Sequence, residues 1–462
     1  MALRRTQLRP ILVRSILVFF LLLGAFTFKR TAVQAAPAPD APSFLYTVTT
    51  HYEPLAWIHG GDRFSSGATI FVRDAGGKHP LVRGFAASAD PAVSFDGQRV
   101  LFAGKLSVQD PWQIWEVSLA GGAPRRISSS NEDCVRPFYL PEDRIVYARR
   151  TSGRFVIETV DLAVGKPLPL TYAPANFLPT DVLRDGRVLF EAASPLGTEV
   201  VPEIYTVYSD GSGVESYRCD HGEGRHSGRQ VGSGDIIFSS SHGLARFTSA
   251  KAQQVQIAAP PGDYAGEVAE SCSGDWLLTW RAEAKDHFQI MLWTPGSPAL
   301  RLAVAERDLD AVQPVLIAAS SMPNRHPSGL HDWPNANLLC LNAYTAKHQF
   351  VGESIRSVRF YTRDDAGNPR LLGSTPVERD GSFFVQVPTE KPLQIELLDN
   401  AGKTLQREAG FFWMRRGEQR ACVGCHAGPE TSPENAVPMI LLKSTTPADV
   451  TGAAAQNASG GH

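Results

Sequence analysis

One unit repeats along the chain from about residue 45 to residue 320, and this repeat constrains the fold more than any other feature. Each copy has an Asp-Gly turn or a close relative, an apolar strand, a variable loop and a second apolar strand. The clearest copies begin at Phe95-Asp96-Gly97 and at Asp185-Gly186. Asp-Gly tolerates the positive φ of a tight hairpin, and the β-branched and aromatic residues that follow favour a pleated strand.

The turns recur at intervals of about 40 to 47 residues, the length of a four-stranded propeller blade. Such a blade has two apolar faces, which only radial stacking of several blades can bury. Partial copies at residues 69–72 and 313–317 would complete one more blade if they were joined. The sequence therefore predicts a mainly β fold that begins with a six-bladed, or seven-bladed, β-propeller. Its repeats resemble the WD40-like repeats of TolB-type propellers.

A second, smaller β domain is predicted after the propeller. Short alternating strands at 358–362, 383–387 and 393–397, separated by turns, indicate a β-sandwich-like domain. Because the linker before it is short, we expect this domain to dock on the propeller. The predicted order is: signal peptide 1–35, propeller 45–320, linker 321–335, sandwich-like domain 336–412, c-type haem segment 413–445 and disordered tail 446–462.

The leader predicts export. Residues 1–35 contain basic residues and no acid, an apolar run at 16–28 and the small residues Val33 and Ala35 at the positions that a signal peptidase reads. The run is shorter than the ~20 residues of a permanent membrane helix. We expect a cleaved signal peptide and a periplasmic or otherwise exported protein. An uncleaved anchor is the alternative, and only then would the protein contact a membrane.

The charge of the remaining chain argues against nucleic-acid binding. The full chain has 45 basic and 47 acidic residues, and all the charged residues of the leader are basic. The exported body is therefore acidic overall and offers phosphate groups no basic surplus.

The motif that carries chemistry is Cys422-Val423-Gly424-Cys425-His426, a C-x-x-C-H sequence. Two thiols at this spacing can add to the two vinyl groups of one haem, and the adjacent histidine can bind the iron. We predict one covalent haem c, with Cys422 and Cys425 as thioether links and His426 as the proximal ligand. A zinc site, a redox-active thiol pair and an inert disulfide are weaker alternatives, because zinc needs four spaced ligands and a thioredoxin-like pair needs a βαβ setting.

Residues 377–385, 392–395 and 417–426 resemble the hydrazine synthase alpha subunit family, specifically over about residues 335–430. The resemblance implies the same roles for Cys422, Cys425 and His426. That family's hydrazine-forming subunit carries a second, catalytic haem in an extra cysteine-bearing segment. Here Cys134, Cys219, Cys272 and Cys340 are isolated, and they are read as disulfide partners or buried thiols. The resemblance therefore implies a haem protein of this architecture and not hydrazine synthesis.

The resemblance also implies that the second iron ligand is a propeller histidine. The best positional match is His242, which follows the blade strand at 234–238, and His221 or His226 in the preceding loop are alternatives. Met439 could fold back onto the iron, although a packing role in its apolar stretch is the more ordinary explanation. Arg415-Arg416 could contact haem propionates or could be a solvated surface pair.

The predicted function is electron transfer by an exported c-type cytochrome with a propeller scaffold, to an unidentified redox partner protein. A haem-dependent redox enzyme is one alternative, if the sixth iron position is open. A propeller interaction module whose haem is structural or sensory is the other. The sequence contains no recognisable nucleophilic triad, phosphate loop or paired-carboxylate site.

Overall fold

The computed structural model describes residues 42–64, 67–194, 201–218, 224–250, 252–346, 350, 354–364, 367–408, 410–424 and 436–452. These residues belong to one compact unit, Pro37–His462. The predicted leader lies outside the described residues. No helix within the described ranges is long and apolar enough to span a bilayer.

Within the described ranges, six antiparallel sheets of four or five strands form the blades of a propeller. Blade 1 contains β1 (Phe44–Thr49), β2 (Thr69–Asp74), β3 (Gly77–Pro80) and a late strand, β25 (Asp310–Leu316). Blade 2 contains β4 (Ala87–Val93), β5 (Arg99–Lys105), β6 (Gln113–Ser118) and β7 (Arg125–Arg126). Blade 3 contains β8 (Cys134–Leu140), β9 (Arg144–Thr151), β10 (Arg154–Asp161) and β11 (Pro167–Pro169).

The other three blades follow the same plan. Blade 4 contains β12 (Phe177–Val182), β13 (Arg187–Ser194), β14 (Val201–Tyr208) and β15 (Glu215–Ser216). Blade 5 contains β16 (His226–Gln230), β17 (Ile236–Ser240), β18 (Gly243–Phe247) and β19 (Val255–Gln256). Blade 6 contains β20 (Asp263–Tyr264), β21 (Ala269–Glu270), β22 (Trp276–Arg281), β23 (Gln289–Trp293) and β24 (Arg301–Val304).

The ring closes through its two chain ends. The late strand β25 pairs antiparallel with β1, with Val315 opposite Leu45 and Leu316 opposite Phe44, and so becomes the innermost strand of blade 1. The two partial copies at the ends of the repeat region therefore join into one blade, as the sequence predicts. Of the two predicted blade numbers, the described sheets give six.

Polar side chains meet on the propeller axis because several inner strands bulge there. Asp90, Arg136 and Gln313 have positive φ angles of 55°, 57° and 56°, at register shifts of their strands. Gln313 Nε2 donates to Asp90 Oδ1 at 2.5 Å, and Arg136 forms an ion pair with Glu267. Burial raises the pKa of Glu267, but the Arg136 charge outweighs it and brings the pKa to about 2. Arg136 and Glu267 thus pair with each other, and the Asp90 carboxylate is hydrogen-bonded to Gln313.

The segment between β1 and β2 covers one end of this axis. Its side chains Tyr52, Trp57 and Phe64 are buried in one apolar cluster with residues of the surrounding blades. Its Arg63 reaches Glu191 of blade 4 at 3.4 Å, where both side chains are buried. The axis is therefore filled by apolar and ion-paired groups, and space for a large ligand has to be sought elsewhere.

The second domain is a sandwich of two four-stranded sheets in the described residues. One sheet has the order β32-β26-β29-β33, from β26 (Asn335–Cys340), β29 (Phe383–Pro388), β32 (Gln419–Cys422) and β33 (Ala448–Asp449). The other has the order β28-β27-β30-β31, from β27 (Ser357–Arg363), β28 (Pro369–Pro376), β30 (Gln394–Leu398) and β31 (Thr404–Arg407). A short helix, α1 (Met439–Lys443), precedes β33. Alternate residues such as Val358 and Phe360 face the core, as the alternating pattern predicts.

The predicted segment boundaries after residue 412 need correction. The sequence predicts a c-type haem segment at 413–445 and a disordered tail at 446–462. Instead, β32 pairs in parallel with β26, β33 pairs in parallel with β29, and Val450 is buried in the sandwich core. Both strands are too short for a visible alternating pattern, and the edges of the sheet supply the hydrogen bonds that order them. Residues 453–462 lie outside the described residues.

The linker between the two domains follows the propeller surface. Its backbone passes so close to the turn glycine of blade 4 that a Cβ on Gly186 would lie 2.3 Å from the carbonyl oxygen of Asn324. Gly186 also has φ +86°, so the same residue permits both the hairpin turn and the close approach. Two residues further along, the His326 ring stacks on Tyr208 with centroids 3.7 Å apart.

Candidate haem-attachment site

The first cysteine of the motif lies on an edge strand of the sandwich. Strand β32 ends at Cys422, directly opposite Cys340 of the parallel strand β26. Val423 and Gly424 continue the motif within the described residues. Cys425 and His426 lie outside them, so the predicted thioether and proximal-ligand roles of the motif stay predictions.

The Cys422 thiol is half-buried against the sandwich core. Its hydrogen bond with the Cys340 thiol lowers the pKa of Cys422, whereas burial raises it. The hydrogen bond outweighs burial, and the pKa falls to about 7. The nearby Arg420 charge acts in the same direction as this hydrogen bond. Near neutral pH a substantial fraction of Cys422 is therefore thiolate, the reactive form of a cysteine.

Gly424 permits the close packing of the motif against the loop that follows β26. A Cβ on Gly424 would lie 2.2 Å from the carbonyl oxygen of Thr345 and 2.9 Å from that of Asn342. The turn between the two cysteines thus rests directly on backbone, in a space that a side chain would fill. This contact fixes where the motif leaves the strand.

Strand β32 is also attached to the propeller rim. Glu418, just before the strand, accepts hydrogen bonds from the backbone N–H of Gly213 at 3.1 Å and of Arg415 at 2.7 Å. Its carboxylate pairs with Arg420 at 2.6 Å. The Arg420 guanidinium donates in addition to the carbonyl oxygens of Trp413 at 3.2 Å and Val214 at 3.4 Å.

Trp413 and Arg415 complete this junction. The Trp413 side chain is 1% exposed and enters the apolar cluster between blades 3 and 4, with its ring centroid 5.6 Å from that of Phe177. Arg415 donates to the Tyr172 hydroxyl and pairs with Glu390 at 2.9 Å. The predicted docking of the second domain is therefore confirmed. Arg415, for which the sequence predicts either a contact with haem propionates or a solvated surface position, is buried in this junction instead.

A cleft of about 890 Å³ opens where the sandwich meets blades 3 and 4. Its walls include Phe177 and Val214 from the propeller and Phe411 and Trp413 from the sandwich, together with Arg154 and Arg363. This volume is in the range of small-molecule and cofactor pockets. Arg420 contacts two of the wall residues, and the C-x-x-C-H motif begins two residues after it.

The predicted distal ligands lie in different places. His242 is exposed on the turn between β17 and β18, where it lines a cavity of about 480 Å³ together with His226. Burial lowers the pKa of His226, so this ring is neutral near pH 7. Met439 begins α1, and its backbone N–H donates to Asp380 at 2.7 Å. His221 lies outside the described residues. His242, His226 and Met439 take no part in the contacts described for Cys422.

Sequence reasoning did not single out His59, which lines the cleft at the domain junction. This histidine belongs to the segment between β1 and β2, far from the motif along the chain. The segment crosses the end of the propeller axis, where the Asn176 side chain donates to the carbonyl oxygen of Ile58 at 3.0 Å, so no local sequence signal could have identified His59.

The remaining cysteines differ in exposure. Cys134 is buried in blade 3, where burial raises its pKa to about 11, and Cys272 is exposed. Cys340 is buried beside Cys422. Cys219 lies outside the described residues.

The region that carries the motif matches a known family. Residues 343–427 match the family model described as the hydrazine synthase alpha subunit middle domain. This match confirms the resemblance for the part of the chain where the sequence made it specific. The matched region extends one residue beyond His426 and so includes the complete motif.

Most of the chain is similar in fold to a solved structure of hydrazine synthase from Kuenenia stuttgartiensis. The TM-score is 0.74 at 15% identity, over 87% of this chain and 71% of that chain. A TolB structure from Acinetobacter baumannii matches at TM-score 0.46 and 13% identity, over 62% of this chain and 69% of that chain, which is too weak to add to the fold assignment. None of the curated proteins matches the chain significantly. At this identity the first likeness shows the fold, a propeller joined to a smaller β domain.

Replacing Trp413 by alanine tests the junction. The change removes the ring that fills the space between blades 3 and 4, and we expect a loss of about 3–5 kcal/mol in the stability of the docked state. Limited proteolysis should then cut the linker near His326 faster than in the unchanged protein. Trp333→Ala is the control, because Trp333 is 55% exposed. Equal cleavage rates for the two variants would show that Trp413 does not hold the domains together.

Replacing Gly424 by alanine tests the packing of the motif. The new Cβ would meet the Thr345 carbonyl oxygen at 2.2 Å, so the turn must move away from the loop. We expect the haem-free protein to lose about 1–3 kcal/mol of stability, the usual cost of overpacking. Haem attachment should also decrease. Gly329→Ala is the matched control, because its Cβ would meet nothing within 4 Å. Denaturation midpoints of both variants equal to that of the unchanged protein would show that Gly424 is not tightly packed against the loop.

Proposed function

We propose that this protein is an exported c-type cytochrome that transfers electrons through one covalently bound haem. Cys422 and Cys425 provide the thioether links and His426 the proximal iron ligand. The redox partner is a protein that docks near the haem edge. The propeller serves as the scaffold that holds the haem-bearing sandwich.

The observation that carries this proposal is the position of the motif in the matched region. The family match runs from residue 343 through residue 427, so the complete C-x-x-C-H sequence lies within the matched domain. An isolated C-x-x-C-H sequence would be weaker support, because short motifs also occur by chance.

The described residues fit a haem at this place. The Cys422 thiol is half-buried and partly ionised near neutral pH, so it is available to form a thioether. A Cβ on Gly424 would lie 2.2 Å from the carbonyl oxygen of Thr345, so the residue before Cys425 packs directly on the loop that follows β26. The cleft at the domain junction offers apolar walls and the arginines Arg154 and Arg363. Arg420 of strand β32 donates to the carbonyl oxygens of two of its wall residues, Val214 and Trp413. When bound, a haem of this type supplies a one-electron iron couple.

The chain's own residues would set the properties of that couple. The apolar cleft walls would limit the access of water to a haem held against them, which would tune its redox potential. Arg154 and Arg363 are suited to pair with propionate groups, because guanidinium groups bind carboxylates through charge-assisted hydrogen bonds. Arg415, in contrast, is already engaged by Glu390 and Tyr172 and holds the domains together.

Export is part of the same proposal. The basic and apolar leader at 1–35 supports it, and so does the motif, because c-type haem is attached outside the cytoplasm. A protein that keeps this leader as an anchor would perform the same chemistry at the membrane surface.

Mass spectrometry of the exported protein tests covalent attachment. In a host that matures c-type cytochromes, the tryptic peptide 421–443 should carry the mass of one haem. Cys422→Ser and Cys425→Ser should each reduce the attachment, because each removes one thioether link. Cys272→Ser, at an exposed cysteine in the propeller, should leave it unchanged. An unmodified 421–443 peptide in the unchanged protein would refute the proposed function.

A haem-dependent redox enzyme is the second candidate, and the size of the cleft favours it. A volume of about 890 Å³ falls within the size range of small-molecule pockets and offers space for a small substrate. This candidate requires an open sixth iron position, whereas electron transfer is served by an iron with two strong ligands.

The visible spectrum of the haem-loaded protein distinguishes the candidates and identifies the distal ligand. Electron transfer predicts a low-spin spectrum that carbon monoxide does not change. The family resemblance favours His242 as the second iron ligand, although this residue lines a different cavity. The location of His59 on the wall of the cleft favours His59 instead. Whichever of His242→Ala and His59→Ala removes the true ligand should convert the low-spin spectrum to high spin. The control His79→Ala, on an outer strand of blade 1, should leave the spectrum unchanged. A high-spin spectrum that binds carbon monoxide in the unchanged protein would instead favour the enzyme.

A further inference from the structure

Cys340 and Cys422 are placed as a disulfide requires. They are direct partners in the parallel pairing of β26 and β32, and their thiols are hydrogen-bonded to each other. Neighbouring strands lie about 4.8 Å apart, and the Cα atoms of a disulfide are usually about 4.4–6.8 Å apart. The two cysteines could therefore be bridged without separating the strands.

We propose that Cys340 and Cys422 form a reversible disulfide in the haem-free protein, and that this bond must be reduced before haem can be attached. The first part depends only on the strand pairing. The second part rests on the proposed function, because it concerns the thiol that would join the haem.

The exposure of the two thiols sets the order of the reaction. Cys422 is half-buried, whereas Cys340 is 1% exposed, so an oxidant reaches Cys422 first. The Cys422 thiolate attacks one sulfur of an oxidising disulfide, such as oxidised glutathione, and one glutathione thiolate leaves. The Cys340 sulfur then attacks Cys422, and the second glutathione leaves. The two protein thiols lose two protons and two electrons, and the oxidant disulfide takes them up to become two thiols.

The same bond controls the first step of haem attachment. A thioether forms when a thiol adds across a vinyl group, and a sulfur held in a disulfide has no hydrogen to add. A dithiol reductant reverses the bond and restores both thiols. Once haem is attached, Cys422 is a thioether and Cys340 keeps its buried thiol.

Peptide mapping of the haem-free protein tests the disulfide itself. Trypsin places Cys340 in peptide 326–347 and both motif cysteines in peptide 421–443. After incubation of the full exported chain with oxidised glutathione, we expect these two peptides to be linked. The link should disappear with dithiothreitol, and it should be absent in Cys340→Ala. A disulfide within peptide 421–443, or glutathione bound to Cys422, would overturn the proposal.

Haem attachment in the presence of an oxidant tests the second part. Oxidised glutathione in the exporting compartment should cause a loss of covalent haem in the unchanged protein and in Cys134→Ala, a control that removes another buried thiol. Cys340→Ala should keep its haem. Dithiothreitol should restore haem attachment in the unchanged protein and in Cys134→Ala. An equal loss in all three would overturn the role of Cys340. Absence of haem in all three under reducing conditions would refute the proposed function and leave the mapped disulfide standing.

Discussion

The attachment of strand β32 on both of its sides is the constraint on which the site depends. On one side the strand hydrogen-bonds to β26, and on the other Glu418, Arg420 and Trp413 connect it to the rim of blades 3 and 4. The Glu418 carboxylate is buried, and it is compensated by two backbone N–H groups and the Arg420 guanidinium. Removal of one partner from such a group typically costs about 3–5 kcal/mol. The position of Cys422 therefore follows from the junction of the two domains.

The propeller contributes rigidity to this arrangement. Its ring is closed by the pairing of β25 with β1, and its axis is filled by the segment between β1 and β2 and by paired charges. The cleft between the sandwich and the rim of blades 3 and 4 can keep its shape, because neither wall has to rearrange to form it. This agrees with the sequence, in which the repeats form the propeller and the C-x-x-C-H motif follows them.

The parts that the sequence predicted are those that depend on local patterns. Asp-Gly turns such as Asp185-Gly186 and alternating strands such as 358–362 predicted the blades and the sandwich, since each is determined by neighbouring residues. The strand β33 and the cleft histidine His59 could not be predicted, because they depend on contacts between distant parts of the chain. The pairing of Cys340 with Cys422 belongs to this second group, although both cysteines are visible in the sequence. Arg415 shows the same limit, because a basic pair beside a haem motif suggests propionates, while the fold uses it to join two domains.

The central proposal is that a haem is bound covalently at the edge of the sandwich, beside the propeller rim. The most direct measurement is an anomalous difference map at the iron absorption edge, from crystals of the haem-loaded protein. The account predicts one iron peak adjacent to the end of strand β32, in continuous density with the side chains of Cys422 and Cys425. An iron peak elsewhere in the molecule, or none in protein that was matured with haem, would contradict it.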